Sequence, residues 1–308
     1  MKARIHPAPL LREVPRRAAG PAPLLRGVAR RAGGLLLAVL CSAASGQALS
    51  QAFLSNAPYV PTPQSTVDRM LELAQVGADD YVIDLGSGDG RIVITAAKKH
   101  GARGLGIEIE SDLVRYSQYL ARGAGVADRV KFVTEDLFTT DLRPATVLTL
   151  YLFRELNIKL RPRILEQLRP GTRVVTHDWD MGEWEPDVAE TIGAPDKPVG
   201  IERSSKIFLW YVPAKVAGAW RLETPLAPGR SATLALTQQF QRFEGGLEAG
   251  GARQAIAGAR ARGTAIRFSV PAGSPFTGFY EGTVDGAQMR GEILRDGVSA
   301  GPFTASRL

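Results

Sequence analysis

Three glycines separated by single residues follow a short apolar run, in the stretch Val82-Ile83-Asp84-Leu85-Gly86-Ser87-Gly88-Asp89-Gly90. Because glycine has no Cβ, such a turn can bend sharply and let a ligand approach the backbone closely. A dinucleotide-binding turn has the spacing G-x-G-x-x-G, which would place glycine at position 91, where this chain has Arg91. The sequence therefore predicts a ligand site after a strand, but not the dinucleotide fingerprint.

A second group of chemically interesting residues is acidic and aromatic. From Asp178 to Glu190 the chain has six acids, no Lys or Arg, and the tryptophans Trp179 and Trp184. Acids attract a cation, and an aromatic face holds an ammonium group with ~0.5–2 kcal/mol. One hypothesis is a substrate-facing wall for a cationic group, with Asp178 as a catalytic candidate. The alternative is a solvated acidic loop whose tryptophans lie in the core. His177, just before this stretch, is a candidate proton acceptor or a structural histidine.

Alternating short apolar runs and helical periodicity must position these residues. Strands are predicted at Tyr81–Leu85, Arg103–Ile109, Val130–Val133, Thr146–Tyr151 and Arg173–Thr176, with helices between them. A hairpin is predicted from residues 199–203 and Lys206–Tyr211. Such alternation predicts a mostly parallel sheet covered on both faces, whose ligands bind beyond the carboxyl ends of the strands.

The C-terminal third differs in composition. Residues 214–308 lack His and Cys, are rich in Gly, Ala and Arg, and contain short alternating stretches bounded by glycine or proline. This pattern predicts a small β sandwich or barrel, and nothing in it indicates catalysis.

The charge of the chain is concentrated at its N-terminus. Residues 1–52 hold eight Lys/Arg and one acid, which accounts for the whole net charge of +7. The net charge of the remaining residues is zero, so their composition indicates no nucleic-acid partner. An Arg- and Pro-rich stretch, the apolar run Gly33–Cys41 and small residues through Ala52 predict a leader or signal peptide. We therefore expect residues 1–52 to be a leader, with export or membrane association; a cytoplasmic location is the alternative.

The scarcity of cysteine and histidine excludes some chemistry. Cys41 has no partner for a disulfide, and the three histidines lie far apart in the sequence. A zinc site is therefore not expected, and no metal is predicted.

The spacing Asp-x-Gly-x-Gly-x-Gly at the end of a first strand resembles motif I of the class I S-adenosylmethionine (SAM)-dependent methyltransferases. The resemblance implies a Rossmann-like seven-stranded α/β sheet over residues 53–213, followed by the small all-β domain at 214–308. It implies cofactor roles for Asp84, which would orient the methionine part of SAM, for Glu108 at the ribose and for Asp136 near the adenine. The glycines at 86, 88 and 90 would form the turn around the cofactor.

A narrower resemblance covers residues 58–187. Pro58-Tyr59-Val60-Pro61-Thr62, the glycine turn through Val93, and Trp184-x-Pro186-Asp187 are similar to the protein-lysine methyltransferase family that acts on the ATP-synthase c subunit and the adenine nucleotide translocase. Bacterial relatives with leader peptides also resemble this chain. In that family the Tyr-Val-Pro-Thr stretch lies over the cofactor pocket, which implies that Tyr59 binds the cofactor.

The end of the predicted fourth strand, Leu150-Tyr151-Leu152-Phe153, lacks the Asn/Asp-Pro-Pro-aromatic motif of many N-methyltransferases. DNA base methylation is therefore disfavoured. Tyr151 is a catalytic candidate that would orient an amine, with packing as the alternative role.

Together these observations predict a SAM-dependent methyltransferase that modifies a protein lysine, with a membrane-associated protein as a candidate acceptor. A small-molecule methyltransferase, an aminopropyl transferase and a non-catalytic SAM-binding docking protein remain alternatives.

Overall fold

The chain is described by a computed structural model at residues 59–198, 200 and 202–308. Within these residues the chain forms a seven-stranded sheet and a nine-stranded sheet. The expected leader, residues 1–52, lies outside the described residues.

The first sheet is built from seven strands and covered by helices. The helices are α1 (Gln64–Leu73), α2 (Arg91–His100), α3 (Ser111–Gly123) and α4 (Arg154–Gln167). The strands are β1 (Tyr81–Leu85), β2 (Arg103–Glu108), β3 (Val130–Thr134), β4 (Val147–Leu150), β5 (Arg173–His177), β6 (Val188–Gly193) and β7 (Ser204–Tyr211). Their order is β3-β2-β1-β4-β5-β7-β6.

Strands β1 to β5 run parallel, while β7 runs antiparallel to both β5 and β6. Every residue of β4 is buried, because helices cover both faces of the sheet. Strand β1 pairs with β2 on one side and with β4 on the other, so the strand order reverses there. In open α/β sheets, ligands bind at the carboxyl edge of this switch point.

One strand of the predicted hairpin is present, but it pairs with a different segment from the one expected. Lys206–Tyr211 is part of β7, but its partner is Val188–Gly193, with Thr191 opposite Lys206. Positions 199 and 201 of the segment expected to pair lie outside the described residues. Half-buried and exposed residues alternate along β6, and this pattern suits an edge strand that packs only one face against the protein. Part of the acidic stretch is therefore strand rather than loop.

The second sheet is a barrel, one of the two architectures expected for the C-terminal part. Its strands are β8 (Gly218–Glu223), β9 (Ser231–Gln239), β10 (Arg242–Ala249), β11 (Ala252–Ala255), β12 (Ala257–Arg262), β13 (Ala265–Val270), β14 (Gly278–Asp285), β15 (Gln288–Arg295) and β16 (Val298–Arg307). Neighbouring strands pair antiparallel from β12 to β16, then to β8, β9 and β10, and a β10–β12 pairing closes the ring. Strand β11 pairs with β10, outside the ring.

The barrel interior is filled by large side chains. Trp220, Phe268, Tyr280 and Phe303 are almost fully buried, and the rings of Phe268 and Tyr280 stack at 4.6 Å between centroids. The Tyr280 hydroxyl donates a hydrogen bond to the Phe276 carbonyl oxygen at 2.7 Å, and Trp220 Nε1 donates to the Val216 carbonyl oxygen at 2.8 Å. The Tyr280 hydroxyl and the Trp220 indole N–H therefore each have a hydrogen-bond partner. The barrel is a packed core and not a ligand container.

The barrel contacts the α/β part through the acidic stretch and strand β7. Trp184 stacks on Phe240 with ring centroids 6.3 Å apart, and Arg260 Nη2 lies 3.1 Å from Asp187 Oδ1. The Arg262 guanidinium lies over the Tyr211 ring at 4.2 Å. The junction therefore combines aromatic stacking, a largely buried ion pair and a cation–π contact.

Among the described residues, no helix combines the length and the apolar character that crossing a membrane requires.

Candidate active site

The glycine turn between β1 and α2 has the left-handed backbone that glycine tolerates best. Gly86, Gly88 and Gly90 have φ angles of 75°, 53° and 78°. The amides of Gly86 and Ser87 both donate to the Ile107 carbonyl oxygen, at 2.9 and 2.8 Å, which fixes the turn on β2. The turn therefore presents its backbone at the carboxyl edge of β1.

The segment Tyr59–Thr62 covers this turn. A Cβ added to Gly88 would lie 2.4 Å from a ring carbon of Tyr59, so the ring packs directly on the glycine. Arg91 Nη1 donates to the Thr62 carbonyl oxygen at 2.7 Å, and Arg91 also pairs with Asp89 at 2.6 Å. Burial and the neighbouring Asp89 raise the pKa of Tyr59 to about 12, so its hydroxyl stays protonated. Arg91, at the position where a dinucleotide turn would have glycine, holds the covering segment in place.

Asp84 lies inside β1 and is only 2% exposed. Its Oδ1 accepts a hydrogen bond from the Thr149 hydroxyl on β4 at 2.7 Å. Burial raises the pKa of Asp84 to about 7; the Thr149 hydrogen bond opposes the shift, and the charges of Glu108 and Asp89 add to it. A cation placed beside this carboxyl would favour its ionised form.

Glu108 ends β2 and is held by backbone amides. Its Oε2 accepts the Gly88 N–H at 2.9 Å, and its Oε1 accepts the amides of Ile109 and Glu110 at 2.8 and 3.1 Å. The carboxylate is thereby fixed beside the glycine turn. Asp136 follows β3, is exposed, and its Oδ1 accepts the Phe138 amide at 2.8 Å.

One cavity of about 1050 Å³ brings most of the predicted site residues together. Its walls include Tyr59, Asp84, Gly86, Gly88, Glu108, Asp136 and Tyr151. Gly90 and Asp178 are not among the lining residues. Gly90 instead packs under the Phe132 ring, where an added Cβ would lie 2.5 Å from a ring carbon. Gly90 thus shapes the turn from behind.

Tyr151 connects the cavity wall to the start of the acidic stretch. Its ring lies 3.9 Å from the His177 ring between centroids, and its hydroxyl reaches Asp178 Oδ2 at 3.4 Å. Burial and the Asp178 charge raise the pKa of Tyr151 to about 12, so this hydroxyl is a donor to the carboxylate. Asp178 therefore contacts a residue of the cavity wall, Tyr151, without lining the cavity itself. Its backbone has φ 63°, a strained angle for a non-glycine residue.

His177 is fully buried and engaged at both ring nitrogens. Nε2 lies 2.9 Å from Ser205 Oγ, and Nδ1 lies 3.4 Å from Thr62 Oγ1. Burial lowers the pKa of His177 to about 4, so the ring is neutral near neutral pH. The geometry assigns His177 to packing between the covering segment and the sheet, rather than to accepting a proton from a substrate.

The acidic stretch is neutralised by bases from elsewhere in the chain. Five of its six acids form ion pairs, with separations of 2.6–3.1 Å: Asp178–Lys197, Asp180–Arg154, Glu185–Arg242, Asp187–Arg260 and Glu190–Arg69. Most acids of the predicted substrate-facing wall are therefore paired with bases rather than free, and the wall itself stays a prediction. Because these partners lie outside the stretch, local charge counting could not identify them.

The two tryptophans of this stretch have different environments. Trp184 is fully buried between Trp210 and Phe240, so it belongs to the core, as the alternative interpretation expected. Trp179 is 40% exposed and meets the Phe153 ring edge-on at 6.2 Å. Of the two, only Trp179 is thus available to a substrate.

Several residues near the site carried no sequence signal. Lys197 lies in an irregular segment between β6 and β7, and Glu155 and Lys159 lie one turn apart on α4 and line the cavity. Lys159 Nζ lies 4.0 Å from the centroid of the Phe138 ring. The helical spacing of Glu155 and Lys159 is readable from sequence, but only the sheet order shows that this face of α4 meets the cavity.

No group of three or more His, Cys, Asp or Glu side chains that could hold a metal is found within residues 59–198, 200 and 202–308.

The sequence is similar to known proteins over the segment that forms this site. Residues 84–188 match the family model described as the ANTKMT methyltransferase domain. The chain is 42% identical over 136 residues to a protein-lysine N-methyltransferase of Saccharolobus islandicus, covering 44% of this chain and 84% of the relative. It is 31% identical over 130 residues to a human lysine N-methyltransferase named for the C subunit of ATP synthase, covering 42% of this chain and 55% of the relative.

A solved structure is also similar. It is described as an RNA methyltransferase from Salinibacter ruber in complex with S-adenosyl-L-homocysteine, at 52% identity and a TM-score of 0.46, covering 51% of this chain and 96% of that chain.

The chain spans most of the archaeal relative and about half of the human one. The match to the family model covers the segment that holds the glycine turn, Glu108, Asp136 and Tyr151. These sequence matches confirm the resemblance identified from those motifs. The chain is therefore a methyltransferase that belongs to the protein-lysine N-methyltransferase family.

Proposed function

We propose that the chain transfers a methyl group from SAM to the side-chain amine of a lysine in an acceptor protein. The observation that carries this proposal is the shared cavity in which the glycine turn, Asp84, Glu108 and Asp136 meet Tyr151. Membership of the protein-lysine N-methyltransferase family supports the same acceptor group.

The cavity suits SAM in its shape and its chemistry. Ser87, which lines it, has a buried hydroxyl without a hydrogen-bond partner among the described residues. Glycine at 88 lets the Tyr59 ring pack directly on the turn, and Glu108 offers a carboxylate of fixed orientation to ligand hydroxyls. Asp84 would meet the cationic methionine end, and Asp136 the adenine end. When bound, SAM supplies an electrophilic methyl group, and its sulfur keeps the electron pair of the S–C bond when the methyl joins the acceptor nitrogen.

The protein contributes alignment and control of protonation rather than covalent chemistry. A lysine amine has a reference pKa of about 10.4, so it must lose a proton to water before its lone pair is available. The Tyr151 hydroxyl donates to Asp178, which leaves its oxygen free to accept an N–H of the neutral amine. The exposed Trp179 stands near this wall and can cover the aliphatic part of a lysine.

A membrane protein is the acceptor class we propose first. The human relative is named for the C subunit of ATP synthase, and a mouse relative, 32% identical over 130 residues, for the adenine nucleotide translocase. Both are matched over 42% of this chain. The membrane fraction of the host is therefore the acceptor preparation in which we expect the strongest labelling.

The decisive experiment incubates the full chain with methyl-labelled SAM and host lysate separated into soluble-protein, membrane-protein, RNA and small-molecule fractions. Asp84→Asn is the inactive variant, because the neutral amide cannot provide the charge that Asp84 gains beside a cation. Asp285→Asn, an exposed position of the barrel, is the matched control and should retain full labelling. The label should appear as methyl-lysine after acid hydrolysis of a discrete protein band.

Other outcomes would redirect the proposal. Label removed by ribonuclease would indicate RNA methylation, and label confined to small molecules would indicate a metabolite acceptor. Transfer from decarboxylated SAM in preference to SAM would reveal an aminopropyl transferase. Tight SAM binding without any transfer would favour a docking protein.

We also propose that the chain has three parts: a leader at 1–52, the methyltransferase part at 53–213 and the β part at 214–308. The charge and apolar pattern of the first part support an exported or membrane-associated protein. Fractionation of cells that express the chain with a C-terminal tag tests this. Recovery of the uncleaved chain in the cytosol would reject the leader.

A further inference from the structure

The chain places one of its own lysines behind the wall of the cavity. Lys197 Nζ donates to Asp178 Oδ2 and to the Ser204 carbonyl oxygen, each at 2.7 Å, and its side chain is only 10% exposed. Asp178 Oδ1 accepts the Lys206 amide at 3.1 Å. Lys197, Asp178 and Tyr151 thus form a row that ends on the cavity wall.

The charge of this row bears on the protonation of the acceptor. A carboxylate without a counter-ion just behind Tyr151 would stabilise an incoming ammonium group and keep it protonated. A protonated amine has no lone pair and cannot accept a methyl group. Pairing Asp178 with Lys197 removes the net charge but keeps the oxygen that receives the Tyr151 hydroxyl proton.

We propose that Lys197 is a positioning residue for methyl transfer, which neutralises Asp178 so that Tyr151 binds the acceptor as a neutral amine. The inference rests on the proposed lysine methylation. The acceptor ammonium gives one proton to solvent water, and one remaining N–H donates to the Tyr151 oxygen. The nitrogen lone pair then forms the new N–C bond as the S–C bond of the methyl donor breaks, with its electron pair left on sulfur.

Other charged groups also face the acceptor and remain unchanged in the test. The cavity is lined by Asp84, Asp89, Arg91, Glu108, Glu110, Glu135, Asp136, Glu155 and Lys159. Behind Tyr151 lies His177, which is neutral because burial lowers its pKa to about 4. Asp180, two residues after Asp178, is paired with Arg154 at 2.8 Å. Substitution at Lys197 leaves these lining charges in place. His177, whose Nε2 lies 3.5 Å from Asp178 Oδ2, is the titratable group that would also respond to the lost charge.

The test measures initial methyl-lysine formation against pH for the full chain, with desalted host membrane and soluble protein as acceptor at saturating concentration, so that the profile reports the acceptor amine bound in the site. Lys197→Met should move the rising limb of the profile to higher pH by about one unit, because the uncovered Asp178 charge stabilises the ammonium form. Near neutral pH this is a rate loss of about tenfold, and the deficit should close at high pH. Lys197→Arg should restore the wild-type midpoint.

A charge-neutral double variant separates electrostatics from structure. Asp178→Asn alone leaves Lys197 unpaired and should move the midpoint to lower pH, whereas Asp178→Asn/Lys197→Met should bring it back toward wild type. SAM affinity, measured by calorimetry, should stay unchanged in every variant and shows that the fold is intact.

Three results would overturn the inference. A pH-independent loss in Lys197→Met would mean a structural role, and an unchanged profile would mean none. Methyl groups found on Lys197 itself by mass spectrometry would make it an acceptor rather than a positioning residue. If the wild-type chain labels no protein, the proposed function fails instead, which keeps the two failures distinguishable.

Discussion

The carboxyl edge of the α/β sheet and the interior of the β-barrel differ in the hydrogen bonding of their buried hydroxyl groups. At the edge, the left-handed Gly86 and Gly88 line one cavity together with the buried Asp84 and with Ser87. In the barrel, ring closure pairs the strands with one another, and the buried Tyr280 hydroxyl has its hydrogen bond. The first region leaves the buried Ser87 hydroxyl without a hydrogen-bond partner among the described residues, whereas the aromatic core of the barrel pairs the buried Tyr280 hydroxyl. The difference locates the candidate chemistry in the α/β part.

Truncation of the barrel core should give the largest stability effect. Phe268→Ala removes a fully buried ring that stacks on Tyr280 and should cost ~3–5 kcal/mol in the free energy of unfolding, measured by urea denaturation. SAM affinity should not change while the protein is folded. A weaker affinity in the folded variant would show that the barrel belongs to the binding site and break the comparison.

Substitution in the glycine turn should weaken SAM binding, in contrast to the barrel substitution, which should lower stability. Gly88→Ala puts a Cβ 2.4 Å from the Tyr59 ring at a φ of 53°, so we expect SAM binding to weaken at least about tenfold through displacement of the covering segment. Gly123→Ala is the matched control, because its Cβ meets nothing within 4 Å at the end of α3, and it should be neutral or slightly stabilising. Equal affinities in both variants would contradict close approach at Gly88.

The affinity for SAM should depend on pH through Asp84. Its carboxyl has a pKa of about 7 in the ligand-free protein, and it must be ionised to hold a cationic group. Below this pKa the affinity should fall by up to about tenfold for each pH unit, and calorimetry in two buffers should detect proton release. Binding that is independent of pH below neutrality would show that Asp84 does not meet the cation.

The same pKa shift has a consequence for the stability of the ligand-free protein. A raised carboxyl pKa means that the folded state holds the proton more tightly than the unfolded state. This contribution is present at low pH and is lost as pH rises from the ordinary carboxyl value of 3.8 through about 7. Asp84→Asn should therefore unfold at a higher temperature than wild type at pH above this range, while binding no SAM. A lower melting temperature would contradict the assignment.

The junction between the two regions should give the smallest effect. Asp187→Asn keeps the acceptor for the Tyr211 amide but removes the charge beside Arg260, and should cost about 1 kcal/mol. Because the junction couples the regions, calorimetry should show the melting transition broaden or divide. A sharp transition without any shift would mean that Trp184 and Phe240 alone hold the regions together.

Much of the site could be predicted because its signals are local. The glycine spacing fixes the turn, and Glu108 and Asp136 each lie at or after the end of a strand whose apolar run is visible in the sequence. Strand alternation then places all of them at one edge. The expected seven-stranded sheet and the β-rich C-terminal part are present for the same reason, since both follow from periodicity.

The partners of charged residues could not be predicted in this way. The acidic stretch contains no base within itself, yet Lys197, Arg154, Arg242, Arg260 and Arg69 reach it from other segments. Likewise, a tryptophan in the core and one at the surface, Trp184 and Trp179, look equivalent in the sequence. The strand that pairs with β7 escaped prediction because the edge segment Val188–Gly193 alternates only weakly in hydrophobicity.

The sequence by itself determined the elements, the ligand turn and the identity of the acids beside it, because backbone sterics and hydrophobic periodicity act over a few residues. The tertiary structure alone decided which of those acids keep a free charge, because a counter-ion is chosen by distance in space. It placed Lys197 against Asp178 and buried Asp84 beside the Thr149 hydroxyl. Those two placements decide which acid near the cavity is paired with a base and which is buried.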